Sequence, residues 1–187
     1  MKVSKAQAAE NRERILVQAG RLFRRKGFDG VGVSELMAAA GLTNGAFYGH
    51  FASKDDLIAE ACERLSDAEA APWVRLAQTE GGEGLPRLLD DYLSLAHVEH
   101  RGSGCLYAAL AGDVARQPAP ARGAFTKNLQ ARVERLARAL SGRSREAKRR
   151  KALATLSSMV GALALARAVD DPAFAEEILE ATKVSLA

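Results

Sequence analysis

The chain has 187 residues, of which 48% are hydrophobic and 27% charged, a balance that excludes a disordered or fibrous protein. Only 5% of the residues are aromatic, so we expect an aliphatic, alanine-rich core, which suits helices better than sheets. No apolar run approaches the ~18–20 residues that span a bilayer, and the N-terminus has no apolar signal segment. Two cysteines cannot form a disulfide framework, so we expect a cytoplasmic protein that is not inserted in a membrane.

The net charge of +4 is unevenly distributed along the chain. Residues 1–54 carry a net charge of +5, residues 55–113 one of −8, and residues 114–187 one of +7. A basic N-terminal third beside an acidic middle indicates that one end of the protein meets a polyanion. The alternative is a set of solvated helix faces, which would give the same distribution.

Apolar residues recur at helical spacing along the chain and predict an all-α protein with about nine helices. The first helix is expected to begin after Ser4 and to end before Gly27. In the second half, single helices are expected over residues 85–98, 105–114 and 125–140. A boundary near residue 52 divides the chain into two domains, which comprise residues 1–52 and 53–187.

Residues 33–51 have the pattern of a helix-turn-helix. Gly41 ends a first short helix, and Thr43 is the expected N-cap of a second one over residues 42–51. Two short helices joined by such a tight turn form a DNA-binding unit, whose second helix lies in the major groove. Phe47 and Phe51 are expected to face the core.

The second of these helices begins with small and polar residues, which let its backbone approach the edges of bases. Asn44 offers the paired donor and acceptor that adenine recognition requires. Lys54 places a cation beside the unpaired backbone N–H groups at the start of the next helix, which together make a phosphate site. The expected DNA contacts are Thr43, Asn44, Gly45, Tyr48, His50 and Lys54.

Residues 10–60 resemble the N-terminal domain of the TetR family of transcriptional repressors. The residues that carry the resemblance are Arg14, Ile15, Leu16, Ala19, Leu22, Phe23, Lys26, Gly27, Phe28, Leu36, Ala40, Gly41, Leu42, Gly45, Ala46, Phe47, Tyr48, His50, Phe51, Ser53 and Lys54. The resemblance implies an all-helical homodimer that binds a palindromic operator in double-stranded DNA. It also implies a small-molecule effector that binds the C-terminal domain and changes the spacing of the two DNA-binding heads.

The chain departs from the pattern of that family at three positions. Gly32 stands where Thr is usual, Asn44 where Lys is common, and Gly49 where an aromatic residue or His is common. Because a glycine inside a helix costs ~1 kcal/mol relative to alanine, we expect the second short helix to be ordered mainly by packing and by DNA.

Cys105 follows a glycine-rich turn and is expected in the first turn of a helix, where the helix dipole stabilises a thiolate. With His97, His100 and Arg101 just before it, this position suits a thiol that senses electrophiles or oxidants. The alternative is a small buried residue at a helix interface. Cys62 has no such surroundings and is expected in the core. The spacing of the two histidines matches no metal-ligand motif, so neither a metal nor another cofactor is predicted.

The C-terminal domain offers candidates for a ligand pocket and for a dimer interface. The aromatic residues that could line a pocket, with ordinary core packing as the alternative, are Trp73, Tyr92, Tyr107 and Phe125. The helix over residues 152–169 is rich in small residues and, with the last helix, is expected to pair with its copy in a second chain. The expected interface residues, for which a core helix is the alternative, are Leu153, Leu156, Val160, Leu163, Phe174 and Ile178.

Charged residues near the end of the chain are expected to be solvated. Arg132, Arg135 and Arg138 are expected on the outer face of their helix, and the basic run over residues 143–151 at a loop and helix end.

No catalytic motif is present, whether a glycine-rich phosphate loop, HExxH or GxSxG, so we expect a protein that is not an enzyme. The sequence instead predicts a repressor that an inducer or a reactive electrophile or oxidant releases from DNA. The alternative is a basic architectural protein that coats DNA without an effector.

Overall fold

The computed structural model describes residues 4–68 and 84–187. Within these ranges the chain forms nine α-helices, one 3₁₀ helix and no strand, which confirms the all-helical prediction. No helix within them is long and apolar enough to cross a bilayer. The helices are α1 (Lys5–Lys26), α2 (Val33–Ala39), the 3₁₀ helix (Asn44–Gly49), α3 (Lys54–Ala68), α4 (Gly84–Tyr92), α5 (Leu95–Glu99), α6 (Leu106–Val114), α7 (Ala119–Ala139), α8 (Arg145–Ala168) and α9 (Pro172–Leu186).

Helix α1 begins and ends at the predicted capping residues. The Ser4 Oγ accepts a hydrogen bond from the Gln7 N–H at 3.1 Å. At the other end, Gly27 has a φ of +74°, a left-handed conformation that favours glycine, and its N–H donates to the Phe23 carbonyl. Ile15 and Phe23 on the inner face of the helix are fully buried. Local capping signals were therefore sufficient to locate both ends of α1.

The second helix of the helix-turn-helix is shorter and tighter than the sequence predicts. Residues 42–51 were expected to form one helix with Thr43 as its N-cap, whereas the structure has a 3₁₀ helix over Asn44–Gly49. Thr43 occupies the N-cap position, but its side chain makes no capping hydrogen bond. Two glycines among six residues weaken helix formation, and short 3₁₀ turns are the usual result in such weak segments. The fully buried Phe47 holds the turn to the core.

One predicted helix of the bundle is interrupted. Residues 85–98 were expected to be continuous, but α4 ends at Tyr92 and α5 begins after Ser94. The Ser94 Oγ accepts from the His97 N–H at 3.2 Å and donates to the Asp91 carbonyl at 3.0 Å. A serine that bonds to backbone groups on both sides competes with the helical hydrogen bonds and starts a new helix.

Two hydrophobic clusters fill the interior, and α6 belongs to both. The first cluster unites α1, α2, the 3₁₀ helix and α3, and it also contains Leu106, Leu110 and Val114 of α6. The second unites α4 with α6 to α9 and contains Tyr107. One short helix therefore contributes to two cores, that of the N-terminal head (α1, α2, the 3₁₀ helix and α3) and that of the bundle (α4 and α6 to α9).

Arg132 is buried, which contradicts the expectation that it faces solvent. Its exposed fraction is 2%, and its guanidinium lies over the ring of Tyr107, 5.8 Å from the ring centroid. Helix α7 packs against both α3 and α8, so more than one of its faces is covered. The flat guanidinium can be buried on an aromatic ring because this stacking supplies electrostatic attraction as well as dispersion.

We predict that Gly104→Ala destabilises the protein by about 1–3 kcal/mol. A Cβ atom at Gly104 would lie 2.6 Å from the Arg167 Nη2 and 2.9 Å from the His100 carbonyl oxygen. Gly112→Ala is the matched control, because a Cβ there meets nothing within 4 Å and Gly112 lies inside α6. The control should be stabilised by up to ~1 kcal/mol. Urea unfolding followed by circular dichroism measures both, and equal stability of the two variants would contradict the prediction.

Candidate functional site

The predicted DNA contacts lie on one short segment, from Thr43 after α2 to Lys54, the first residue of α3. The exposed fraction of Tyr48 is 73%, whereas the neighbouring Phe47 is fully buried. The rings of these two residues meet edge to face at 5.3 Å, so Phe47 supports the exposed tyrosine from within. Of the six residues, Thr43, Asn44, Gly45 and Tyr48 are exposed, and His50 and Lys54 are half-buried.

Asn44 is held by a residue that the sequence did not single out. Its Nδ2 donates to the Ser34 Oγ at 2.8 Å, which joins the first turn of α2 to the start of the 3₁₀ helix. This bond uses one amide N–H and fixes the direction of the side chain. No spacing rule links residues ten positions apart across a turn, so Ser34 could only be found in the structure.

The backbone of the 3₁₀ helix is open on its outer side. A Cβ atom added at Gly45 or at Gly49 would meet nothing within 4 Å. A ligand surface can therefore approach the main chain closely at both glycines.

The start of α3 combines a helix N-terminus with a cation. The Ser53 Oγ accepts from the Asp56 N–H at 3.0 Å and caps the helix as predicted. Lys54 is the first residue of α3, and within residues 4–68 and 84–187 it forms no ion pair. Its charge and the helix dipole are thus both available to an anion.

His50 is less exposed than Tyr48 and borders a cavity. It is half-buried and lines a cavity of about 740 Å³ together with residues of α1, α3 and α7, among them Arg12 and Lys127. Its side chain therefore borders the junction between the head and the bundle.

Basic residues of α1 connect the first helix to α3. The guanidinium of Arg12 forms a bidentate ion pair with Glu60 and lies 4.6 Å from the centroid of the Phe51 ring. The hydrogen bonds to Glu60 raise the pKa of Arg12 above its ordinary value. A second ion pair, between Arg64 of α3 and Glu13 of α1, joins the same two helices through one guanidinium nitrogen. Part of the positive charge of the head is therefore used inside the protein.

Two polar contacts join the head to the ends of α6. The Phe28 N–H donates to Asp113 Oδ2 at 3.1 Å near the C-terminus of α6. Near its N-terminus, the Arg24 Nε donates to the Gly102 carbonyl at 3.0 Å. These contacts span 85 and 78 residues, so no sequence pattern indicated them.

Cys105 is buried at the N-cap of α6, one residue before the predicted first turn. Only 4% of it is exposed. Its N–H donates to the His97 Nε2 at 3.0 Å, and the His97 Nδ1 in turn donates to the Tyr92 carbonyl at 2.8 Å. Burial lowers the pKa of His97, and the charge of Arg167 lowers it further, so the neutral ring required by these bonds is favoured.

The second cysteine lies in a different environment. Cys62 is fully buried, and burial raises the pKa of its thiol to about 11. A thiol with such a pKa is almost entirely protonated near neutral pH and reacts slowly.

Within the described ranges, no three side chains that could ligate a metal come together.

The aromatic residues proposed for a pocket pack within the core of the bundle. Tyr107 meets Phe125 edge to face with centroids 5.2 Å apart, and Tyr92 meets the ring of His97 at 4.7 Å. Tyr92 and Tyr107 are buried, and Phe125 is half-buried. The fourth candidate, Trp73, lies outside the described residues.

The residues expected at a dimer interface divide into two groups. Leu156 and Leu163 are buried in the core of their own chain, with exposed fractions of 3% and 0%. Val160 and Ile178 are half-buried and pack against that core. Leu153 and Phe174 are exposed, as are two apolar residues not included in the expectation, Leu165 and Val184.

Comparison with known proteins identifies the family to which the N-terminal head is similar. The model of the family described as bacterial regulatory proteins, tetR family, matches residues 15–61. The transcriptional repressor NemR of Escherichia coli K12 is 30% identical over 134 residues, which cover 70% of this chain and 67% of NemR. The chain belongs to the TetR family. The resemblance seen in residues 10–60 is thereby confirmed.

A second relative matches over a shorter segment, and a solved structure extends the likeness in fold to most of the chain. The uncharacterised HTH-type regulator YerO of Bacillus subtilis is 44% identical over 54 residues, which cover 29% of this chain and only 19% of YerO. The crystal structure of reduced E. coli NemR superposes with a TM-score of 0.78 at 23% identity and covers 95% of both chains. The head and the bundle therefore both have the TetR-family fold.

We predict that Gly32→Thr makes the head about 1 kcal/mol more stable than Gly32→Val. Gly32 is the N-cap of α2 and supplies no side-chain cap, and a Cβ there meets nothing within 4 Å. Thr and Val have the same shape, but only the Thr hydroxyl accepts a hydrogen bond from the first turn. Thermal unfolding of both variants measures the difference, and a Val variant as stable as the Thr variant would show that the cap is irrelevant.

Proposed function

We propose that the chain is a transcriptional repressor that binds a palindromic DNA operator as a homodimer and is released by an effector. The observation that carries the proposal is the exposed, glycine-containing 3₁₀ helix on a head of the TetR family. Its outer side presents hydrogen-bonding side chains and open backbone, while Phe47 fixes its inner side. Such a segment enters a major groove without rearranging the core.

The chemistry of each of the six predicted contact residues suggests its role in binding DNA. Asn44, held by Ser34, reads a base edge with its remaining donor and acceptor, and Gly45 lets the backbone approach that base. Tyr48 and Thr43 bind phosphate oxygens from the same segment. His50 and Lys54 add contacts to the phosphates at the start of α3, where the helix dipole assists.

We propose that α8 and α9 pair with their copies in a second chain. The exposed apolar residues Leu153, Leu165 and Phe174 supply hydrophobic area on these two helices. Gly161 lies between the first two, and a Cβ there would meet nothing within 4 Å, so a partner helix can approach closely. The buried members of the predicted stripe support this surface from inside. A two-fold axis through it places two heads on one side of the dimer.

We propose that the effector acts on α6. Cys105 begins this helix and Asp113 lies near its end, where it holds the Phe28 N–H of the head. An adduct on the Cys105 thiol adds volume in a packed interior, so α6 must shift and the head must follow. The core aromatics Tyr107 and Phe125 adjoin the same helix and would sense a non-covalent ligand. A coupling of ~1–3 kcal/mol lowers operator affinity ~5–150-fold.

The solved structure of the relative NemR is described as a reduced form, and this description supports a redox response for the present chain. Cys105 and Cys62 differ in their position in the fold, and the position of Cys105 is better suited to a reactive thiol. It lies at a helix N-terminus beside a short loop, whereas Cys62 lies inside α3 with a raised pKa. Because only 4% of Cys105 is exposed, a reagent reaches it when the loop over residues 101–104 opens.

We predict that Lys54→Gln weakens binding to a DNA site selected from a random pool and reduces the slope of log affinity against log salt by about one. The lost phosphate contact should affect all bound sequences equally. Lys151→Gln is the matched control, because this exposed lysine of α8 is outside the head. Gel shifts over a salt series measure both. Failure to select any preferred palindrome would favour an architectural DNA-coating protein and contradict the proposed repressor.

We predict that Cys105→Ser abolishes release from the selected DNA by a quinone, an aldehyde or hypochlorite, whereas Cys62→Ser leaves release unchanged. Both substitutions replace a buried thiol by a hydroxyl, so their structural cost is similar. The measurement is the fraction of bound DNA after treatment, with adduct formation followed by mass spectrometry. Release of the Cys105→Ser variant at the concentration that releases the unmodified protein would contradict thiol sensing.

A further inference from the structure

A cationic groove lies between the end of α7 and the start of α8. Its volume is about 540 Å³, and a second cavity that shares several of its residues continues it along α7. The charged residues that line the cationic groove are Glu134, Arg138, Arg143, Arg145, Lys148 and Arg149. Five cations thus face one carboxylate in a small concave space.

The carboxylate of Glu134 orients part of this group and leaves the rest unneutralised. It pairs closely with Arg149 and lies 3.9 Å from Arg145. In the part of the chain that the structure describes, Arg138, Arg143 and Lys148 form no ion pair. Like charges gathered in one small space repel one another, so an anion from outside would stabilise the groove.

The start of α8 strengthens the positive potential of the cationic groove. This helix has 24 residues, and the Ser144 Oγ caps it by accepting from the Ala147 N–H. The pKa of Glu146 lies below its ordinary value because its carboxylate accepts from its own backbone N–H and from the Ser144 hydroxyl. Glu146 lines the neighbouring cavity and is not among the residues that line the cationic groove.

The cationic groove is remote from the head. Ala121, near the start of α7, belongs to the core of the head, whereas Arg138 lies seventeen residues further along the same helix. At 1.5 Å per residue, the two positions are about 26 Å apart. The cations of the groove therefore do not extend the surface of the 3₁₀ helix.

We propose that the cationic groove binds a small molecule that carries two or more phosphate groups, such as a nucleoside diphosphate. Three unneutralised cations match several negative charges, and arginine binds phosphate oxygens through paired N–H groups. The lining contains only one residue with an apolar side chain, Ala137, so charge rather than hydrophobic contact provides affinity. A concave space of this size fits a small ligand, whereas a long nucleic acid requires an extended track.

The test compares two double variants of the full-length chain without DNA. Arg143→Gln with Lys148→Gln removes two charges from the cationic groove. Arg150→Gln with Lys151→Gln removes two charges from the same basic run, at exposed positions that do not line the groove. Calorimetric titration with inorganic pyrophosphate, ADP and adenosine is carried out at a constant ionic strength of about 100 mM, which screens distant charges.

Pyrophosphate and ADP should bind the unmodified chain in a saturable manner, and adenosine should not. The groove variant should lose affinity about tenfold or more, and the control variant less than about twofold, because distant charges are screened. Equal losses in the two variants, or no saturable binding of either phosphate compound at millimolar concentration, overturn the proposal. Thermal unfolding of both variants checks that they remain folded.

A further binding measurement with DNA distinguishes a groove that binds small phosphate compounds from one that binds nucleic acid. Binding to a random duplex of about 30 base pairs should be affected equally by the two double variants, because both remove two charges outside the head. A larger loss in the groove variant would make the groove a DNA surface and overturn the proposal. The Lys54→Gln variant should retain pyrophosphate binding, so failure of operator binding and failure of the groove are distinguishable.

Discussion

The packing of the N-terminal head on α6 is the contact on which the rest of the structure depends. Leu106 and Leu110 are fully buried in a core that otherwise consists of α1, α2, the 3₁₀ helix, α3 and a residue of α7. Burial of each leucine contributes roughly 1.5–3 kcal/mol to the free energy of folding. This contribution is substantial for a head whose small size limits the surface that it can bury by itself. Because Tyr107 of the same helix belongs to the core of the bundle, α6 connects the packing of the two cores.

Polar contacts determine how a movement of α6 would reach the head. Asp113 holds the Phe28 N–H near one end of the helix, and the Gly102 carbonyl, just before its other end, holds Arg24 of α1. The head itself is tied together by Phe47 inside the 3₁₀ helix and by the bond from Asn44 to Ser34. In the proposed response to an effector, these connections would carry a shift of α6 through the head to the 3₁₀ helix.

The distribution of charge along the chain differs from the distribution of available charge in space. Arg12 of the head is neutralised by Glu60, so the net +5 of residues 1–54 overstates the charge that DNA would meet. In the last third of the chain, Glu134 neutralises part of a basic run and leaves the cationic groove positive. Counts of charge by segment therefore indicate a polyanion partner in general, and geometry decides which cations remain to bind it.

The sequence by itself determined the helical class, both ends of α1 and the position of the helix-turn-helix, because caps and helical periodicity depend on residues a few positions apart. It also determined the exposed side of the 3₁₀ helix, since Phe47 and Tyr48 differ in polarity. Only the tertiary structure decided that Arg132 is buried and that α4 and α5 are separate. It also decided that Leu156 packs in the core of its own chain and is not exposed to a partner chain. These features depend on which helices pack together, and the contacts between them join residues far apart in the chain, where no local pattern applies.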